Sequence, residues 1–193
     1  MTDTLVPTVA ALYVDPRGPY PKLLGPEMCW DEARDARTYA GPWPVIAHPP
    51  CGPWSTLRTL SHEATRPLAL LALSAVERWG GVFEHPITSQ IWQLRTPTLI
   101  VNQCDWGHPA RKRTGLYIVG TRTIPPMPTT RKPTHWCSGV HTPGARGKPP
   151  AGIKICSAQQ RRRTPVAFAE WLIALATAAR PPQHCAPGAH ASP

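Results

Sequence analysis

RPLALLALSAVERWGGVFEHP, residues 66–86, runs from a helix into a strand across two glycines. Alanine and leucine fill positions 68–73, Pro67 stands near the start, where a missing amide hydrogen costs nothing, and Gly80-Gly81 stops the helix. The next residues, GVFEHP, are a short apolar run ended by Pro86, which reads as a buried strand.

The same alternation extends outward. Upstream, TVAALYV at 8–14 and Trp43 to Ala47 read as strands ended by Asp15-Pro16 and by His48-Pro49-Pro50. Between them, MCWDEARDARTY at 28–39 has helix-forming composition and is expected to be a helix stopped by Gly41-Pro42. Downstream, TLIVNQC at 98–104 and GLYIVG at 115–120 are two more strands, and PVAFAEWLIALATAA at 165–179 is an amphipathic helix with proline at its first position. Strands alternating with helices predict an α/β domain with a largely parallel sheet and helices on both faces. Such sheets place their sites at the carboxyl ends of the strands. Asp15, Pro49–Cys51, Glu84 and Cys104–His108 are therefore expected to gather on one edge.

The expected organisation is an α/β catalytic core over 1–120, a basic Pro/Gly-rich insert over 121–160, a helix packing on the core over 161–179, and a disordered tail over 180–193. The 193 residues suffice for one such domain, and 26 prolines require much loop, because proline cannot donate to a backbone ladder.

The net charge of +10 is unevenly spread. Residues 1–105 hold eight Lys/Arg and ten Asp/Glu, whereas residues 106–169 hold twelve Lys/Arg and no acid. A block of one sign is the footprint of a polyanion binder, usually nucleic acid, although a solvated basic loop has the same composition. No apolar run approaches the ~20 residues that cross a bilayer, and MTDTLVPTVA lacks the basic start and apolar core of a secretory leader. Six cysteines without a CxxC pair are expected to be reduced, as in a cytoplasm.

Four groups of residues carry chemistry. Cys51 follows a strand end and can act as a nucleophile if a neighbour such as His48, Arg58 or the 111–113 cluster promotes its thiolate, although a buried cysteine is more often inert. Glu84 stands in a short apolar strand, and a carboxylate there needs a partner, either a substrate or an arginine. GHPARKRTGLYIVG at 107–120 brings three consecutive cations to a strand, able to clamp a phosphate, a base edge or a carboxylate. His135, Cys137, His141 and Cys156 are residue types that suit zinc, but their spacing matches no common pattern, and no metal is expected.

Taken in order, these pieces resemble a short, divergent cytosine-5 DNA methyltransferase, of the compact kind carried by phages. Pro49-Pro50-Cys51 has the form of the family's strand-ending Pro-Pro-Cys motif, with Ser55 close by. Phe83-Glu84-His85-Pro86 stands where the family has its glutamate. Gly107-His108-Pro109, Arg111, Arg113 and Leu116 to Gly120 are similar to a later block, and Arg161 to Pro165 to the step that opens its last helix. The likeness spans residues 8–120 and 160–178, with His48 where the family usually has glycine.

The resemblance implies a Rossmann-like methyltransferase sheet with a reduced or missing target-recognition domain. It implies double-stranded DNA with a flipped base as substrate, and S-adenosylmethionine as methyl donor. Cys51 would be the nucleophile and Glu84 the carboxyl group at the base's ring nitrogen, with Arg111 or Arg113 holding the base. Asp15, Gly18, Asp31, Glu32 and Pro49 would serve the methyl donor. Ser55, Lys112, Arg161, Arg162 and Arg163 would meet DNA, and a partner subunit would supply any missing recognition module. Prolines stand where the family's donor loop has glycines, which leaves open a pyrimidine-modifying enzyme with another one-carbon donor. A catalytically inactive DNA-binding protein on the same scaffold is the other alternative.

Overall fold

The computed structural model describes residues 9–55, 63–137 and 151–182. In chain order the elements are β1 (Ala10–Leu12), α1 (Tyr20–Leu24), β2 (Cys29–Trp30), β3 (Val45–Ala47), α2 (Arg66–Trp79), β4 (Gly81–Pro86), β5 (Leu99–Asn102) and β6 (Arg113–Val119). They are followed by β7 (His135–Trp136), β8 (Lys154–Ile155), α3 (Ala158–Arg162) and α4 (Val166–Thr177).

Six strands form one sheet in the order β2-β1-β3-β4-β6-β5. β1 to β4 are parallel, and β6 runs antiparallel to both β4 and β5, so it is the single reversed strand. The central strands are buried along their length and read as continuous apolar runs, as strands covered on both faces do. Alternate residues divide between two cores. Ala10, Leu12, Val45, Ala47 and Phe83 meet Ala69, Ala72, Leu73 and Val76 of α2. Ala11, Ile46, Val82, Leu116 and Ile118 meet Phe168, Leu172 and Leu175 of α4, with Tyr20 and Leu24 of α1 beside them. The α/β architecture with helices on both faces is as expected.

Gly80 and Gly81 both have positive φ, and at Gly81 (φ 111°) a Cβ would lie 2.0 Å from the Val45 carbonyl oxygen. The tight helix-to-strand step at 66–86 is thus possible only because β4 starts against the backbone of β3.

The helix expected over 28–39 does not form. Cys29–Trp30 instead make an edge strand on β1, and side chains then divert the backbone from helical bonding. Asp31 accepts hydrogen bonds from the Ala33 and Arg34 amides, and Asp35 from that of Arg37. Only a short 3₁₀ turn remains at Ala36–Thr38. Pro165 sits just before α4 as its N-cap rather than inside it. Two short helices were not foreseen: α1, in what reads as a turn-rich loop, and α3, opened by a capping box between Ser157 and Gln160.

The basic insert contains the small parallel pair β7–β8. Its residues 138–150, and 183–193 of the expected tail, lie outside the described residues. Among the described residues no helix is long and apolar enough to cross a membrane.

Candidate active site

β3 ends because proline has no amide hydrogen. The His48 amide still bonds the Leu12 carbonyl (3.0 Å), and Pro49-Pro50 then breaks the ladder. The chain turns through a 3₁₀ segment at Gly52–Trp54 that leaves Cys51 half-buried at the sheet edge. Trp54 anchors this turn by donating its indole N–H to the Arg66 carbonyl (3.0 Å) under the Arg66 guanidinium. Ser55 follows, half-buried.

Glu84 is inside β4 rather than after it. The last β3–β4 pair is Ala47 with Phe83, so Glu84 is the first residue beyond the end of β3 and stands beside His48. Both side chains fall on the α1/α4 face. Glu84 Oε2 meets His48 Nδ1 at 3.0 Å, and Glu84 Oε1 accepts from Gln103 Nε2 at 3.0 Å. Gln103 follows β5, is buried, and also donates to Thr114 Oγ1 (3.0 Å), while its own Oε1 meets no donor. Sequence reasoning passed over Gln103; the signal was a polar residue directly after a strand.

The cation brought to the site is Lys112. It is buried, has φ 38°, and donates from Nζ to the Arg163 carbonyl (3.1 Å). Left-handed backbone at a long side chain is costly and concentrates at functional positions. Here it turns Lys112 toward Cys51 and Glu84, both of which act on its charge. Arg111, expected to hold the base, is exposed and lies by Cys104, and Arg113 opens β6 opposite Asn102. Neither is among the charges that act on Cys51 or Glu84.

The late basic segment joins the site through backbone contacts. Besides the Lys112–Arg163 bond, His108 Nε2 meets the Gln160 carbonyl at 2.9 Å. Arg162 is exposed and close enough to favour a Cys51 thiolate, while Arg161 acts on Cys137. Arg163 is exposed. Arg58 lies outside the described residues.

Burial pushes the Cys51 thiol up, and Glu84 adds to the effect, against opposition from Lys112 and Arg162. Burial would also raise Glu84, but the His48 hydrogen bond and charge, with Lys112, outweigh it and bring the carboxyl down to about 2. Burial lowers Lys112, opposed by Glu84 and Cys51. The resting site therefore holds an ionised carboxylate beside a protonated thiol.

Asp15 and Asp31 follow the neighbouring strands β1 and β2 on the same edge. Asp15 accepts from the Arg17 amide (2.9 Å), and its carbonyl takes the Gly18 amide (2.8 Å). A Cβ on Gly18 would lie 2.9 Å from that carbonyl, so the turn requires glycine. Glu32 is exposed and Pro49 buried.

Among the described residues no group of three or more His, Cys, Asp or Glu could hold a metal; His141 lies outside them. Cys137 and Cys156 pack together against Ala110. A hollow of about 250 Å³ lies between Trp106–Pro109 and the start of α4, but neither a thiol nor a carboxylate lines it.

No family model matches the chain, and no curated protein or solved structure matches it.

Proposed function

We propose that the chain is a DNA cytosine-5 methyltransferase-like enzyme, working through a covalent bond between Cys51 and the base. The observation that carries this reading is that Cys51 after β3, Glu84 in β4 and Lys112 before β6 lie at one edge of a mostly parallel sheet, close enough to act on one another's charge. The reversed strand β6 is compatible with the methyltransferase sheet that the sequence resembles. The acid-free basic block supports a nucleic-acid substrate.

Cytosine is unreactive at ring carbon 5. Cys51 would give its thiol hydrogen to water, and addition of the thiolate to carbon 6 would form an S–C bond and move electron density toward ring nitrogen 3 and carbon 5, which splits one hard step into two. Glu84 faces the charge that develops at nitrogen 3, and Lys112 offers a buried cation to the base's carbonyl oxygen. The base reaches them only when flipped from the duplex. Arg161 to Arg163 border the site and would meet the phosphates.

Asp31, at the end of β2, uses Oδ1 for two backbone amides, and its carboxylate would hold the ribose hydroxyls of S-adenosylmethionine. The close turn at Gly18 fits a backbone approach to the donor, and Asp15 stands beside it. That donor, when bound, supplies an electrophilic methyl group.

The test is a 5-fluorocytosine DNA duplex incubated with protein and S-adenosylmethionine. Wild type should give an adduct that survives denaturation, and Cys51→Ala should give none. Absence of both adduct and labelled methyl transfer would overturn the reading. The raised Cys51 thiol favours one competitor, a DNA-binding protein without catalysis, and that reading predicts salt-dependent binding alone.

A further inference from the structure

Tyr20, His48 and Glu84 come from α1, the end of β3 and the middle of β4, and they form one continuous hydrogen-bonded chain. Tyr20 is 2% exposed, and its hydroxyl lies 2.7 Å from His48 Nε2 with the two rings 5.2 Å apart. His48 Nδ1 lies 3.0 Å from Glu84 Oε2, and the two side chains are 13% and 11% exposed. Gln103 fixes the other Glu84 oxygen.

Lys112 also favours the Glu84 carboxylate, after the His48 hydrogen bond and charge. Filling space beside Tyr20 needs no ring nitrogen. Both nitrogens of His48 are nevertheless engaged, one toward each neighbour. The proposed reaction also leaves a gap: nitrogen 3 of the base needs a proton as the thiolate adds, and the Glu84 facing it is an ionised carboxylate.

We propose that His48 and Glu84, with Tyr20 holding the ring, form a proton relay, in which the His48 imidazolium lends its Nδ1 hydrogen to Glu84 when a pyrimidine docks. The inference rests on the cytosine reading of Glu84 given above. In the step the Nδ1–H bond breaks and leaves its electron pair on nitrogen, while an O–H bond forms at Glu84 Oε2. An imidazolium–carboxylate pair becomes imidazole and carboxylic acid, with no electron transferred. Glu84 then passes this hydrogen to nitrogen 3, its O–H bond breaking as the N–H bond forms, and the hydrogen returns through Glu84 to His48 when the S–C bond breaks and the product leaves.

Tyr20 accepts from Nε2–H in both states, so the ring does not turn and the labile hydrogen is always the one facing Glu84. Burial keeps the Tyr20 hydroxyl protonated, so it does not compete for that hydrogen. Of the other titratable groups nearby, His85 acts on the His48 charge from the opposite face of the sheet, while Lys112 and Cys51 act on Glu84 and on each other. A protonated Glu84 no longer adds to the burial that holds the Cys51 thiol up.

His48 is a positioning residue acting through Glu84, and two measurements test it. In protein labelled with ¹⁵N-histidine and free of DNA, both His48 nitrogens should carry hydrogen at pH 7, and Glu84→Gln should leave a neutral ring. A neutral His48 in wild type overturns the relay whether or not the protein proves active. In turnover, His48→Asn keeps an N–H near the Nδ1 position but has no proton to give. It should lower methyl transfer on the order of 10²-fold and remove a limb of the pH–rate profile. Transfer within about threefold of wild type, with the profile unchanged, overturns the relay's part in the reaction. An inactive wild type overturns the methyl-transfer reading, and the labelling experiment still decides the relay.

Discussion

His85 should make the fold acid-sensitive well above the range where carboxylates titrate. Its side chain points from β4 to the face opposite Glu84, stacked 5.4 Å from Phe83 and edge-on to Trp92. The residue is fully buried, and neither ring nitrogen completes a hydrogen bond, although the Pro50 carbonyl acts on the ring. Burial dominates, and the ring protonates only near pH 4 instead of its ordinary 6.5. The unfolded chain takes up the proton first, so stability is full above pH 6.5 and falls as pH drops toward 4. The 2.5-unit difference, at about 1.36 kcal/mol per unit, amounts to about 3 kcal/mol. His108, also lowered by burial, adds in the same direction. Glu84 acts later, because its contribution is present above its ordinary 4.5 and lost only as pH falls toward about 2. Urea unfolding followed by tryptophan fluorescence between pH 8 and about 4.5 measures the slope. His85→Phe keeps a ring on Phe83 without titrating nitrogens, so it should flatten most of that slope and stay within about 1 kcal/mol of wild type at pH 8. A wild-type loss under about 1 kcal/mol, or an equally steep His85→Phe, would refute the reasoning.

Glu84→Gln removes a negative charge that raises the Cys51 thiol, so iodoacetamide should alkylate Cys51 faster at pH 8 in the variant; an equal or slower rate would separate the two side chains. Phe168→Ala opens a cavity between α4 and the sheet, where Phe168 packs on Trp106 and Trp171, and should cost about 3–5 kcal/mol in urea unfolding. A cost under about 1 kcal/mol would mean that α4 does not seal that face.

The α/β architecture was legible because burial on both faces writes continuous apolar runs and proline or glycine punctuates them, as at 66–86 and 45–51. MCWDEARDARTY misled because helix propensity ignores a cap within reach: Asp31 and Asp35 offer their own carboxylates to the backbone, and Trp30 is worth more paired beside β1. At the site, Cys51 and Glu84 stood out as a thiol after a strand end and an acid in an apolar run. Lys112 did not, since three adjacent cations look alike until the backbone turns one inward through a positive φ. Gln103 and Tyr20 were equally hidden, because they reach Glu84 and His48 only through strand register and the packing of α1, contacts far apart along the chain.

The side-chain bonds from Lys112 to the Arg163 carbonyl and from His108 to the Gln160 carbonyl also set an order of manufacture. On a ribosome, β1 to β4 emerge first and β5 waits for β6 to join it to them, with α2 on one face and only the short α1 on the other. Most of that second face stays uncovered until α4 follows, and the Lys112 ammonium has no carbonyl to rest on until Arg163 is made. A nascent or truncated chain ending near residue 120 would thus carry Cys51 and Glu84 yet expose Ile46, Val82, Leu116 and Ile118 to solvent. The contact that holds Lys112 beside Cys51 and Glu84 thus depends on a segment some fifty residues further along the chain.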